Sequence, residues 1–132
     1  LSGNEIQDFN LVVNKRKIKF PFYSNGVARF TFLELCGENR GPADFLAIAD
    51  NVRVLIVEDI PQLGRSNFNE AKRFITLIDT VYEAGIVFIC SAAAQPEHLY
   101  LEGEGVFEFE RTVSRLDEMQ SESWGKSLNL SS

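Results

Sequence analysis

The sequence predicts one α/β domain: a mainly parallel sheet with a βαβ core, an N-terminal antiparallel hairpin and a C-terminal helix. Three observations carry this. Residues 54–57 (VLIV) form an apolar run without alternation, the pattern of a strand covered on both faces. Ala71, Phe74, Ile75, Ile78, Val81 and Tyr82 recur at helical spacing, and Gly85 follows as a C-terminal stop. Residues 86–90 (IVFIC) form a second apolar strand. Core strands are therefore placed near 52–57 and 86–90, with the helix near 68–84. Two strands joined by such a crossover should be parallel and the connection right-handed.

The remaining elements follow in chain order. Residues 1–8 are polar and expected to fray. FNLVV (9–13) and KIKF (17–20) flank Asn14-Lys15-Arg16, and Asn tolerates left-handed backbone angles, so the segment reads as a hairpin. Lys17, Ile18, Lys19 and Phe20 alternate as a strand with one wet face does, and Pro21 ends it or makes it an edge. Ser24-Asn25-Gly26 is a turn, after which VARFTFL (27–33) resumes alternation. LCGENRGP (35–42) reads as loop, because its glycines and proline break any periodicity. Pro42 then opens a short helix through Asn51, with Phe45, Leu46, Ile48 and Ala49 on one side. Residues 60–66 connect to the central helix, where Asn67 and Glu70 have the spacing of a capping box. The apolar arc of that helix, with Leu77, takes about half the wheel, suiting a helix pressed between a sheet and another element. Residues 107–109 read as a last short strand. Residues 110–120 read as an amphipathic helix with Val113, Leu116, Met119 and Gln120 along one side. Trp124 is expected to dock, the domain to span 5–124, and residues 1–4 and 125–132 to be flexible.

Composition narrows the function classes. With 45% hydrophobic residues and 132 in all, the chain can bury a real core without staples. Its net charge of −6 argues against general nucleic-acid binding, which needs a basic face. Two cysteines are too few for a disulfide framework, and Cys90 in its apolar run reads as a buried thiol of a reducing compartment. The longest weakly polar stretch, 84–94, is about half the ~20 residues a bilayer span needs. A start at Leu1 and not Met fits a processed chain or an excised fragment.

Few residues offer chemistry. VLIVED (54–59) has the outline of the magnesium-holding strand of P-loop ATPases, with Ser91 at the tip of the next strand imitating a sensor position. Its acids run Glu58-Asp59, reversed from the usual order, and the sequence contains no G-x-x-x-x-G-K-[ST] phosphate loop. Acids leaving a strand into a solvated loop is the reading the residues favour. Arg111 and Arg115 stand at i, i+4 on the predicted last helix, opposite Val113, Leu116 and Met119, so they should point away from the core. Guanidinium suits bidentate phosphate contact, which makes this pair the phosphate-binding candidates. From spacing alone, a wet face paired with Glu108 or Glu118 is the favoured reading. Arg73 and Lys72 read as a solvated helix face, and KRKIK (15–19) as a soluble hairpin tip. The single histidine, His98, has no ligand cluster at zinc spacing, and nothing marks Cys36 as a nucleophile. The residues thus predict no catalytic group within this stretch and no metal site.

Five segments resemble one family in its own order: FLELCGENRGPADFLAIADN (32–51), EDIPQL (58–63), EAKRFITLIDTVYE (70–83), CSAAAQPEHLY (90–100) and FEFERTVSRLDEMQSES (107–123). They look like the C-terminal part of ZapE / Afg-one-like (lactation-elevated-type) P-loop ATPases of the AAA-like class. The hairpin departs from the family's frequent Gly-Arg at Asn14-Lys15-Arg16, and Asp44-Phe45 replaces Asp-Tyr. The resemblance implies an intact protein that binds ATP and Mg, hydrolyses ATP and self-associates, with its phosphate loop upstream. It implies a role in cell division or protein quality control, in the cytoplasm or alternatively in mitochondria. It also favours Arg111 and Arg115 as phosphate-sensing or subunit-bridging groups. This stretch alone should bind no cofactor and be inactive. A different reading makes it a non-catalytic module that recognises a division or client protein through the hairpin and the 36–42 loop. A stand-alone small-molecule enzyme lacks any acid/base or nucleophile constellation.

Overall fold

The computed structural model describes residues 9–101 and 106–120. The expected flexible ends, the frayed start and the docking of Trp124 lie outside the described residues. Strands β1 (Phe9–Val13) and β2 (Arg16–Phe20) pair antiparallel, with Phe9 opposite Phe20 and Val13 opposite Arg16. Only Asn14 and Lys15 form the turn, both at positive φ (51° and 70°), a geometry that matches the twist of a tight hairpin. Ile18 and Phe20 are buried while Lys17 and Lys19 stay wet, as the alternation predicts.

A four-stranded sheet follows in the order β3-β4-β5-β6. Strand β3 (Phe22–Ser24) is antiparallel to β4 (Val27–Thr31). Three residues after a proline are too few to show alternation, so β3 was not foreseen. Strands β4, β5 (Val54–Ile60) and β6 (Val87–Ala92) are parallel. The register aligns Ala28, Leu55 and Phe88 on the buried face and Arg29, Ile56 and Ile89 on the other.

The strand expected over residues 27–33 stops early. Thr31 Oγ1 accepts from the Glu34 N–H (3.1 Å) and Glu34 Oε1 accepts from the Thr31 N–H (2.8 Å), a capping box that turns the chain into α1 (Phe32–Cys36). The "loop" residues Leu35 and Cys36 therefore close a helix and are buried. Gly37 ends it, its N–H donating to Leu33 O (3.0 Å); a Cβ there would lie 2.5 Å from that oxygen.

Helix α2 (Pro42–Asp50) begins at the proline as expected. Phe45, Ile48 and Ala49 are buried, but Leu46 is 54% exposed and lies off their face. Asp44 sits in their place at 1% exposed, accepting from the Gly41 N–H (2.7 Å) and from Arg16 Nη2. Since Arg16 also donates to Asn39 O (2.7 Å), one hairpin residue holds the start of α2.

Helix α3 (Phe68–Ala84) matches the prediction and ends at Gly85, φ 72°. Its start differs. Asn67 belongs to a 3-10 turn (Arg65–Asn67), where its side chain accepts from the Gly64 N–H (2.9 Å) and donates to Gln62 O (3.1 Å), leaving no capping box with Glu70. After the short α4 (Pro96–Leu99), helix α5 (Val106–Met119) includes the residues expected to form a last strand. Phe107 lies outside (83% exposed) and Phe109 inside (3%); a strand would put both on one face, whereas about 200° of helical turn separates them. Buried Phe109, Thr112, Leu116 and Met119 then continue at helical spacing.

Cys90 is exposed, not buried. It is on β6, an edge strand of the described sheet, and opens into a cleft of about 580 Å3 lined by Ile60, Phe74, Leu99 and Leu116 among others. Those apolar walls still push its thiol pKa up by partial burial. Cys36, in the core, is pushed by burial from its ordinary 9.0 to about 12.

Candidate functional site

The paired arginines on α5 meet α3 across the helix interface. Arg111 Nη2 donates to Asp79 Oδ2 at 2.9 Å, and Arg115 Nη1 donates to Asp79 Oδ1 at 2.6 Å. One carboxylate thus binds two guanidiniums through separate oxygens. The cluster extends one turn on each helix. Arg115 Cζ lies 4.5 Å from the centre of the Tyr82 ring, and its Nη2 is 3.9 Å from Glu83 Oε2. The Tyr82 hydroxyl donates to Glu118 Oε1 at 2.8 Å, and that bond to a carboxylate raises its pKa.

This follows from two matched helical spacings. Asp79, Tyr82 and Glu83 stand at i, i+3 and i+4 on α3; Arg111 and Arg115 stand at i and i+4 on α5. The wheel placed the arginines opposite Val113, Leu116 and Met119, directed away from the domain. Instead they flank the buried seam and turn back to α3, because Asp79 offers a charge there. Neither expected partner, Glu108 or Glu118, takes them. Asp79 is the residue the sequence reading missed, and its i, i+4 position with Glu83 was the available signal.

The two arginines are not equivalent. The Arg115 side chain is 22% exposed, clamped between Tyr82 and two carboxylates, whereas Arg111 is 53% exposed. Arg111 spends one of its five N–H donors on Asp79, and no other hydrogen bond of its guanidinium is seen among the described residues.

The strand tips show a second arrangement. Between Val57 and Ile60 β5 carries one extra residue relative to β6, a bulge with Asp59 in the left-handed region (φ 61°). The Asp59 N–H donates to Ser91 Oγ at 3.0 Å, so Ser91 and the acidic pair do meet. Ser91 serves here as backbone acceptor for the bulge. Among the described residues, no group of three or more His, Cys, Asp or Glu is placed to hold a metal ion. His98 contributes its carbonyl to Gln62 Nε2 (2.6 Å). Arg73 departs from the solvated reading: it is half-buried and donates to Cys36 O at 3.0 Å. Among the described residues no helix is long and apolar enough to cross a membrane.

The chain is 33% identical to the cell division protein ZapE of Escherichia coli over 88% of its own length and 31% of that protein's. An uncharacterized protein of Schizosaccharomyces pombe is 35% identical over 83% of the chain and 30% of its own length. Lactation elevated protein 1 homolog B of Danio rerio is 28% identical over 86% of the chain and 29% of its own. The chain thus spans about a third of the length of these relatives. No solved structure matches. The family model of AFG1-like ATPases matches residues 1–127. The chain belongs to the AFG1-like ATPase family.

Proposed function

We propose that this chain is the C-terminal portion of an ATP-hydrolysing protein and completes a nucleotide site whose phosphate loop lies elsewhere in the polypeptide. It contributes sheet, a surface for a second copy, and Arg111 with Arg115 as phosphate-sensing groups. The observation that carries this reading is the i, i+4 guanidinium pair held by Asp79, with Arg111 half-exposed and most of its donors unused. A phosphate from a neighbouring copy competes with Asp79 for Arg111, while Arg115 stays anchored and keeps the helix in place. Guanidinium charge delivered at a transferring phosphoryl group stabilises the transition state. Membership of the AFG1-like ATPase family supports the hydrolytic activity, with ATP and Mg bound by the intact protein. The name of the E. coli relative supports a role in cell division, on a division-ring or client protein in the cytoplasm; a mitochondrial setting is the alternative.

The test uses the intact protein. Arg111→Ala should lower ATP turnover by at least tenfold with little change in nucleotide affinity, while Arg111→Lys restores only part of it. Turnover unchanged in Arg111→Ala refutes the assignment. The 132-residue chain alone should show no magnesium-dependent ATP hydrolysis, and detectable turnover refutes the placement of the phosphate loop.

One observation favours the non-catalytic reading as a second. The hairpin holds Val12 at 72% exposure beside wet Lys17 and Lys19, a surface suited to a protein partner. Saturable partner binding, lost on deleting residues 10–19, would establish it.

A further inference from the structure

A basic cleft lies on α3 N-terminal to the Asp79 cluster, between that helix and the loop leading into α2. Arg40, Lys72 and Arg73 converge on it, with Asn69, Thr76 and Gly41 completing the wall, around a volume of about 230 Å3. No carboxylate lines it, although the chain as a whole carries a net charge of −6. Among the described residues, none of the three cations forms an ion pair.

The two guanidiniums are fixed from behind. Arg40 donates through Nε to Leu35 O (3.1 Å) and through Nη2 to Glu34 O (3.0 Å); Arg73 donates through Nη1 to Cys36 O (3.0 Å). These bonds close the last carbonyls of α1, a structural duty that explains why arginines stand here. They leave Nη1 of Arg40, and Nε and Nη2 of Arg73, uncommitted. Lys72 needs no such duty: its Nζ is 5.4 Å from the centre of the Phe68 ring and otherwise free among the described residues. Three unpaired cations around one concavity repel each other unless an anion sits between them.

We propose that this cleft binds a phosphate-type oxyanion. Planar guanidinium forks match the oxygens of a tetrahedral anion, and the lysine adds a point charge. The volume is below the roughly 300–1,000 Å3 typical of sites that enclose drug-sized ligands, so the cleft takes one phosphoryl group and not a whole nucleotide. That group is either free inorganic phosphate or the terminal phosphoryl of a nucleotide whose remainder stays outside. Neither Arg111 nor Arg115 lines this cleft.

Amide NMR titration of the full 132-residue chain tests this, with inorganic phosphate at ionic strength held constant by sodium chloride. The expected result is saturable shifts at Gly41, Asn69, Lys72, Arg73 and Thr76. Lys72→Gln, at an exposed position, should weaken binding about tenfold. Arg73→Lys should also weaken it, since the charge stays but the fork is lost, with shifts elsewhere reporting an intact fold. A parallel titration with ADP identifies the source: tighter saturation of the same residues assigns a nucleotide phosphoryl, and tighter saturation by phosphate assigns the free ion. The proposal is overturned if phosphate shifts equal those of sodium chloride, or if both variants bind like the parent. Arg111→Ala should leave the titration unchanged, so failure here and failure of the nucleotide-site reading are separable.

Discussion

Replacing Asp79 by Asn removes the charge that two arginines share, and its cost follows from the exposures. The contact to Arg111, half in solvent, is worth about 0.3–0.5 kcal/mol, as surface pairs are. The contact to Arg115 is better sheltered, at 22% exposure under the Tyr82 ring, and is worth about 1 kcal/mol. Loss of Asp79 also leaves two like charges at i, i+4, a penalty of roughly 0.3 kcal/mol. The total of about 1.7 kcal/mol should lower Tm by roughly 5–7 °C for a chain of this size. Calorimetry at low salt and in 1 M NaCl is the assay, because screening over about 3 Å at 1 M should erase much of the difference. A double-mutant cycle then separates the partners: Arg115–Asp79 coupling should exceed Arg111–Asp79 coupling. A drop below about 1 °C, a drop that salt leaves intact, or the opposite order of couplings refutes the reasoning.

Other predictions concern the scaffold. Arg16→Met strips the side-chain partner from buried Asp44, whose Oδ1 already lacks a hydrogen bond, and should destabilise by about 3 kcal/mol in urea unfolding. Gly37→Ala should cost about 1–3 kcal/mol, since the new Cβ meets Leu33 O at 2.5 Å, whereas Gly41→Ala, with open space, should cost under about 1 kcal/mol. Cys36 holds its proton more tightly folded than unfolded, so the folded chain binds more protons between pH 9 and 12. Stability should therefore be full below about pH 9.0 and fall towards pH 12, by up to about 1.4 kcal/mol per pH unit, and Cys36→Ala should flatten that slope. Under native conditions one thiol per chain, Cys90, should alkylate, and a second only after unfolding.

Legibility in the sequence followed the range of the interactions. Helix α3 was placed to the residue, because its apolar spacing and Gly85 are local facts. The hairpin was displaced by one residue, Arg16 joining β2 and not the turn. Errors arose where one pattern has two solutions. FTFL alternates like a strand, yet Thr31 and Glu34 cap a helix there; FEF alternates too, yet opens α5. At the site, the arginine spacing was visible, but Asp79 lies 32 and 36 residues away and periodicity is blind to that distance. Cys90 looked buried because its neighbours are apolar, while the strand's position at the sheet edge was not in the sequence.

The extra residue in β5 changes the parity of the strand. In an unbroken strand Val57 and Asp59 would share the buried face and Ile60 would face away. With the bulge, Val57 and Ile60 are both buried although three residues apart, and Glu58 and Asp59 both stay off the core. Two consecutive acids thus leave the sheet on the outside without either crossing the hydrophobic layer. Straightening the strand with Asp59 kept in line would invert the chain from Ile60 onward, taking with it the backbone bonds of Leu63 to Leu99 and Leu101, whereas deleting Asp59 would leave Ile60 two positions after Val57, still on the buried face and opposite Ala92. The single left-handed aspartate is a counting device: it sets which side of the sheet the rest of the polypeptide inherits.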